Sequence, residues 1–277
     1  MYHVELFTSA IPTGANIFGQ IVYVQPDAIL PKLVNGVQVA PGLPRVMFVA
    51  GVSANLCHVR IQAPSMLPFP YPTLDPNNRG TGFESPPRVH DLRDRNIILA
   101  PTEEFDVFAS HNAGAAQQPY VLVGFWDGVA PQRPTGKYFS VHWTAAQTLT
   151  AANWTLVTPL FDQGLPAGFY ALIGARTYSA TALFFRLFPA MAPLWRPGGI
   201  AVQAYDQLDP PNQRGHDIES LAPGWWGTWL SFYQNVPPQV EIFATAADTA
   251  EEGWFDLVLL SGQTSIQGVA GGPLPTA

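Results

Sequence analysis

Two loops of this chain carry the same pattern of charged residues about 135 residues apart. In each loop an Asp-Pro pair, Asn and a closing Gly favour a closely specified turn. Each Arg can pair with the Glu that follows it, or can bind a carbonyl group of a neighbouring subunit. The six charged residues are Asp75, Arg79, Glu84, Asp209, Arg214 and Glu219.

The repetition of this loop predicts a contact between subunits that is used twice per chain. A simpler interpretation is that the same residues only fold their own loop. Trp225 and Trp226 lie between Gly224 and Gly227, a setting typical of an exposed aromatic anchor for an interface or a sugar. We therefore take these two tryptophans, with the six charged residues, as candidate intersubunit contacts. A core Trp beside a loop is the alternative for this pair.

The remaining residues that could do chemistry do not form a recognisable catalytic or metal motif. The six histidines are scattered singly, and neither His-x-His nor His-Glu-x-x-His occurs. No Gly-x-Ser-x-Gly elbow, Walker loop or dinucleotide fingerprint is present. The acidic residues of the second loop region could approach a calcium ion, but their spacing is not that of an EF-hand. We expect no cofactor, no metal and no enzymatic activity. These acidic residues are Asp206, Asp209, Asp217 and Glu219.

The composition predicts a folded protein that does not coat nucleic acid. Hydrophobic residues make up 47% of the 277 residues, enough to fill two cores of ordinary size. A net charge of −7, with Lys32 and Lys137 as the only lysines, does not suit a phosphate backbone. Charged residues are only 12%, which suggests that other subunits cover much of the surface, or that the surface is rich in uncharged polar residues.

The single Cys57 excludes an intrachain disulfide and any metal site built from several cysteines. The first residues lack the basic start and the apolar run of a signal peptide, and no apolar stretch is long enough to span a bilayer. We therefore expect synthesis in a cytoplasm without export.

The elements that must position these residues are predicted to be β-strands. Short apolar or alternating segments bounded by Gly, Pro, Asn or Asp recur through the chain, and helical periodicity is almost absent. An Ala-rich link at 246–252 is compatible with one or two helical turns. The predicted strands are 20–24, 45–52, 56–62, 95–100, 104–110, 120–126, 137–143, 154–159, 168–175, 180–188, 227–233, 239–244 and 254–261.

Further sequence matches occur in the same order as the two loops. Phe105–Ala109 matches Val240–Ala244, and Tyr120–Gly128 matches Trp254–Gly262. A weaker match relates two earlier apolar runs, each followed by a segment with a central arginine, Arg60 in one and Arg186 in the other. A period of this length equals a small complete domain. We predict two homologous domains, 1–129 and 130–277, the second ending in a flexible tail.

Two tandem β-barrels in one acidic, cysteine-poor chain resemble the double jelly-roll major capsid proteins, in particular the small members from icosahedral bacteriophages with an internal membrane. The resemblance rests on the repeated blocks, the length and the density of strands. It implies an all-β fold of two tandem jelly rolls with short helical links. It also implies a structural virion protein that assembles as pseudo-hexagonal homotrimers into an icosahedral shell. The expected partners are other copies, neighbouring capsomers, and other virion proteins or an internal membrane.

Two other functions fit the same sequence. One is a carbohydrate- or receptor-binding β-sandwich protein, such as a fibre or spike component, in which Trp225 and Trp226 stack on sugar rings. The other is a two-domain jelly-roll enzyme that acts through carboxylates at one barrel mouth, with Asp209 or Glu219 in the active site.

Overall fold

The computed structural model describes residues 2–24, 30–52, 56–66, 73–74, 89–129, 134–179, 181–190, 195–201, 227–249 and 251–262. The chain divides into two compact units, Met1–Val129 and Ala130–Ala277, called unit 1 and unit 2 below. The described residues form antiparallel sheets and two short 3-10 helices, Pro64–Met66 and Arg93–Arg95. The prediction of an all-β protein is confirmed. No described helix is long and apolar enough to cross a membrane.

Unit 1 contains nine described strands, rich in the β-branched and aromatic residues that fit a pleated, half-buried surface. One sheet has the order β1-β9-β4-β7, and the other has the order β2-β8-β5-β6, with β3 also paired to β8. The strands are β1 (Tyr2–Thr8), β2 (Gly14–Ile21), β3 (Val37–Gln38), β4 (Arg45–Val52), β5 (Leu56–Gln62), β6 (Thr73–Leu74), β7 (Val89–Asp91), β8 (Glu104–His111) and β9 (Tyr120–Trp126).

The core of unit 1 lies between its two sheets. Phe105 of β8 meets Phe125 of β9 edge to face, with ring centroids 5.0 Å apart. Phe7 of β1 packs against the same Phe105 at 6.3 Å. All three rings are fully buried, so aromatic contacts from both sheets contribute to the apolar burial that stabilises this unit.

Unit 2 also contains nine described strands. One sheet has the order β12-β10-β18-β13-β16, and the other has the order β11-β17-β14-β15. Its core includes Tyr170 stacked on Phe232 at 5.5 Å, and Phe185 stacked on Trp229 at 6.2 Å. The strands are β10 (Lys137–Ala145), β11 (Trp154–Val157), β12 (Leu160–Phe161), β13 (Gly168–Tyr178), β14 (Ala182–Phe188), β15 (Gly198–Ile200), β16 (Leu230–Tyr233), β17 (Gln239–Ala244) and β18 (Glu251–Gly262).

The strand order follows one rule in each unit. When β3, which lies off the path of its sheet, and the additional edge strand β12 are set aside, each unit has eight described strands that can be ranked along the chain. In both units one sheet contains the first, eighth, third and sixth strands in that order. The other sheet contains the second, seventh, fourth and fifth.

Two predicted elements are wrong. Residues 95–100 do not form a strand: the 3-10 helix ends at Arg95, Asn96 is left-handed with φ 49°, and Ile98 makes only an isolated bridge. The carboxylate of Asp91 accepts the backbone N–H of Arg93 and its guanidinium, which favours a local turn over sheet pairing.

The expected helical link is also wrong, because the described residues of 246–252 contain no helix. The backbone oxygen of Asp248 accepts the N–H of Leu149 at 2.8 Å, and its carboxylate accepts the hydroxyl of Ser179 at 2.6 Å. Glu251 already belongs to β18 and pairs with Ala145 of β10. These contacts engage the backbone that helical turns would need. The predicted C-terminal tail lies outside the described residues.

Candidate functional site

The structure does not describe the candidate contacts chosen from the sequence. In chain order, both charged loops lie between the fifth-ranked and sixth-ranked strands of their unit. Their role as contacts remains a prediction. The residues concerned, all outside the described ranges, are Asp75, Arg79, Glu84, Asp209, Arg214, Glu219, Trp225 and Trp226.

A different cluster of polar and aromatic side chains lies on one face of the five-stranded sheet of unit 2. Side chains alternate between the two faces of a strand, so every second residue of β10 and β18 shares this face. The intervening residues, among them Val141, Trp143 and Phe255, are buried. We call the cluster the β10–β18 face. It consists of Tyr138, Ser140, His142, Arg176, Glu252, Trp254 and Asp256.

The register of the sheet brings the members of this face together. Ser140 pairs with Asp256, and His142 pairs with Trp254 across β10 and β18. Arg176 of β13 pairs with Trp254 from the other side. Within β18, Gly253 permits this approach, because a Cβ there would lie 2.1 Å from the backbone oxygen of Arg176 and 2.5 Å from the Trp143 ring.

Asp256 is the acceptor at the centre of the face. Its carboxylate lies 2.7 Å from a guanidinium nitrogen of Arg176 and accepts the hydroxyls of Ser140 and Tyr138. The carboxylate is 10% exposed, so its charge is balanced mainly by these donors. Burial raises the pKa of the neighbouring Tyr138, which therefore remains a neutral hydrogen-bond donor at physiological pH.

His142 connects two further carboxylates. Its Nδ1 lies 2.5 Å from Asp162 Oδ2, and its Nε2 lies 3.4 Å from Glu252 Oε2. The imidazole also packs on Trp254, with ring centroids 4.8 Å apart. The guanidinium of Arg176 lies 5.9 Å from the same indole ring. Trp254 is thus in contact with both basic residues of the face.

This geometry suits binding better than nucleophilic catalysis. A serine nucleophile needs its hydroxyl within hydrogen-bond reach of a base that a third group orients. Here Ser140 donates to Asp256, while both ring nitrogens of His142 face other carboxylates. Among the described residues, no group of three or more His, Cys, Asp or Glu side chains is placed to hold a metal ion. Trp, Tyr and Arg on one face are instead typical of protein interfaces.

A second charged cluster lies on the other sheet of unit 2. Arg186 of β14 is fully buried, and its Nε donates to Glu241 of β17 at 2.5 Å. Arg196 approaches the same carboxylate at 3.2 Å. The guanidinium of Arg186 also lies 4.4 Å from the ring of Trp154 on β11. The cluster therefore balances a buried cation with an anion and an aromatic ring.

Sequence reasoning missed the β10–β18 face because it treated the histidines one at a time. The alternation of Tyr138, Ser140 and His142 with apolar residues is a usable signal for one polar face of a strand. Their partners in β18 lie more than a hundred residues away, so only the sheet register reveals the cluster. Two other histidines, His3 and His111, are fully buried and bonded within unit 1.

Comparison with known proteins gives a structural likeness to a viral protein. No protein-family model matches the chain, and no curated protein matches it. Among solved structures, the chain is similar to the crystal structure of the major capsid protein P2 from bacteriophage PM2. The identity is 13%, the TM-score is 0.26, and the match covers 94% of this chain and 98% of that chain. Because the TM-score and the identity are low, the function of this chain is argued from its own residues and strand order.

Proposed function

We propose that this chain is the major capsid protein of a bacteriophage, formed by two homologous jelly rolls and assembling as pseudo-hexagonal trimers into an icosahedral shell. The observation that carries the proposal is the strand order. In each unit the first, eighth, third and sixth strands form one sheet, and the second, seventh, fourth and fifth form the other. Eight strands in two packed antiparallel sheets are expected of a jelly roll, so this order supports the assignment of one jelly roll to each unit.

The repeated sequence blocks support a common origin of the two units. The matching segments around Asp106 and Glu241 lie on the seventh-ranked strands, β8 and β17. Those that begin at Tyr120 and Trp254 lie on the eighth-ranked strands, β9 and β18. The matching arginine segments lie on the fourth-ranked strands, β5 and β14. Sequence and strand rank therefore agree, as expected of a duplicated domain.

The surface of unit 2 supports a role in assembly. The β10–β18 face combines Trp254 and Arg176 with the exposed Tyr138, residue types that are enriched in protein contacts. In this proposal other copies of the chain are the main partners, with other virion proteins or an internal membrane as further ones. The site of action is the virion, and the protein has no enzymatic role.

The native mass of the purified protein, with negative-stain images of the same sample, tests this proposal. We expect stable trimers with a hexagonal outline, or shells built from them. A protein that remains monomeric at all concentrations and ionic strengths would refute it.

A matched pair of variants tests the assembly surface. Tyr138 and Val34 are 58% and 82% exposed, and only Tyr138 belongs to the β10–β18 face. We expect Tyr138→Ala to raise the dissociation constant of the trimer about tenfold, and Val34→Ala to leave it unchanged. Equal effects of the two substitutions would remove this face from the contact.

A further inference from the structure

An open groove lies at one edge of the five-stranded sheet of unit 2, apart from the β10–β18 face residues. It is formed where the end of the edge strand β16 meets the start of β13, beside the end of β18. The turn after β16 is held by two backbone hydrogen bonds. Gln234 N–H donates to Gly168 O at 3.0 Å, and Val236 N–H donates to Tyr233 O at 2.8 Å. The groove is therefore formed by ordered backbone.

One wall of the groove is aromatic. Phe169 and Tyr233 are direct partners across β13 and β16, with ring centroids 4.8 Å apart and planes tilted by 48°. Tyr233 is 52% exposed, although the next residue inwards, Phe232, is buried. A ring held by a neighbouring ring and open to solvent offers a flat apolar surface at low cost in conformational entropy.

Ala167 and Gly168 form part of the floor, and the three other described residues of the lining carry uncharged hydrogen-bonding side chains. Gln234 and Asn235 contribute amides, and Ser261 contributes a hydroxyl. These three side chains make no hydrogen bond to any residue in the part of the chain that the structure describes. An amide offers both donors and acceptors, as a hydroxyl does, so the groove can satisfy a ligand that presents both.

We propose that this groove binds a neutral saccharide. A pyranose ring would place its C–H face on Tyr233, and its hydroxyl groups would exchange hydrogen bonds with the amides of Gln234 and Asn235. None of the described residues that line the groove is charged, so a neutral sugar fits better than an anionic one. This site differs from the sugar site predicted at Trp225 and Trp226, which lies outside the described residues. The proposal does not depend on the capsid function.

Saturation-transfer NMR on the full-length protein tests the proposal with defined probes. The neutral probes are lactose, maltotriose and N,N'-diacetylchitobiose, and the anionic probe is 3'-sialyllactose. We expect transfer to at least one neutral probe, and binding of that probe about tenfold weaker in Tyr233→Ala, equivalent to about 1.4 kcal/mol. Asn235→Ala tests the polar contacts and should also weaken binding. Leu160→Ala is the matched control, because Leu160 is 61% exposed on the opposite edge strand of the same sheet.

Any of the following binding results would overturn the assignment: no transfer to any neutral probe, transfer only to the anionic probe, equal binding by wild type and Tyr233→Ala, or equal loss in Leu160→Ala. Circular dichroism and the thermal midpoint of each variant show whether a loss of sugar binding comes from misfolding. If Tyr233→Ala is misfolded, the binding of the sugar to Asn235→Ala decides whether the groove is the site. The native mass is measured on the same samples. A Tyr233→Ala variant that loses assembly without any sugar binding would identify the groove as a contact between copies, which also overturns the assignment.

Discussion

Arg60 in unit 1 and Arg186 in unit 2 hold the same position in the strand ranking, yet their surroundings differ. Both lie on the fourth-ranked strand, and both place a guanidinium over an aromatic ring from the second-ranked strand, Phe18 at 4.6 Å and Trp154 at 4.4 Å. Arg60 is half-buried and also lies over Phe108 at 4.9 Å. Arg186 is fully buried and has Glu241 as its cross-strand partner.

The difference shows what burial requires of a charged residue. A half-buried guanidinium keeps part of its hydration, and stacking on Phe18 and Phe108 adds to that hydration at Arg60. A fully buried one loses that hydration and needs an opposite charge, which Glu241 supplies in unit 2. Asp106, the residue that matches Glu241 in the sequence comparison, instead accepts an amide of Gln20 at 2.8 Å. Burial and the nearby Glu104 raise the pKa of Asp106.

Removing the carboxylate partner of Arg186 should have the largest effect. We expect Glu241→Ala to lower the free energy of unfolding by about 3–5 kcal/mol, because the charge of Arg186 would remain buried without its compensating anion. Urea denaturation followed by tryptophan fluorescence measures the change. Asp106→Ala is the matched control in unit 1 and should cost less than about 1 kcal/mol. Similar losses in both variants would contradict the comparison.

A double replacement separates the ion pair from the packing around it. Arg186→Leu combined with Glu241→Leu removes both buried charges, and Arg196, which loses the same carboxylate, is 17% exposed and keeps part of its hydration. Well-packed apolar residues can substitute for a buried ion pair with little loss of stability. We therefore expect the double variant to recover most of the stability lost in Glu241→Ala. A double variant as unstable as the single one would show that the packing, not the uncompensated charge, sets the cost.

Glu251 provides an intermediate effect that depends on pH. Its side chain is buried, and burial, with a smaller contribution from Asp248, raises its pKa from 4.5 to about 7. The folded protein then holds the proton more tightly than the unfolded chain. The stability due to this group is complete below about pH 4.5 and is lost as the pH rises to about 7.

The substitution Glu251→Gln should remove this pH dependence. Between about pH 5 and 7 we expect the variant to gain stability over wild type by up to about 1.4 kcal/mol per pH unit, measured by urea denaturation at each pH. Gln117 stands at the matching position of unit 1, three residues before Tyr120. The reverse substitution, Gln117→Glu, places a carboxyl at a half-buried position and should leave the slope unchanged. The same slope for wild type and Glu251→Gln would refute the assignment.

The smallest effect is expected at Arg60. In Arg60→Ala, the loss of stacking on Phe18 should account for about 0.5 kcal/mol of the change in the free energy of unfolding, because a half-buried cation gains little from stacking. A double-mutant cycle with Phe18→Leu measures the stacking itself, and we expect a coupling of about 0.5 kcal/mol. Arg60→Lys should lose part of that coupling, since an ammonium does not stack as a planar guanidinium does. If the effects of the two substitutions on the free energy of unfolding are strictly additive, stacking on Phe18 does not stabilise Arg60.

The sequence predicted the strands whose apolar runs end at Gly, Pro or polar residues. The bounds of β4, β5, β9 and β17 agree with their predictions, because each is an apolar or alternating segment between breakers. β1 was not predicted, since its alternating His3 and Glu5 look like solvent-facing residues. The structure buries both and places them 2.5 Å apart. Strands of two or three residues, such as β3, β12 and β15, carry too few residues for a periodic signal.

The site was harder to predict than the fold. Asp256 and Arg176 are 80 residues apart in the chain, and they meet only because a register shift in the β13–β18 ladder places Gly174 opposite Asp256. Such a shift depends on tertiary packing and leaves no clear mark in local sequence. The two charged loops, in contrast, could be recognised from the sequence, because their turn residues are local signals.

In each unit the first strand lies beside the last, and this has a consequence for how the chain can be cut and joined. Tyr2 at the start of β1 is opposite Trp126 at the end of β9, and Lys137 at the start of β10 is opposite Leu259 near the end of β18. The start of the first strand and the end of the last strand of each unit therefore lie side by side at one end of a sheet. Circular permutation, with a short linker across that junction and new termini in a surface turn, would preserve every hydrogen bond of the ladder there.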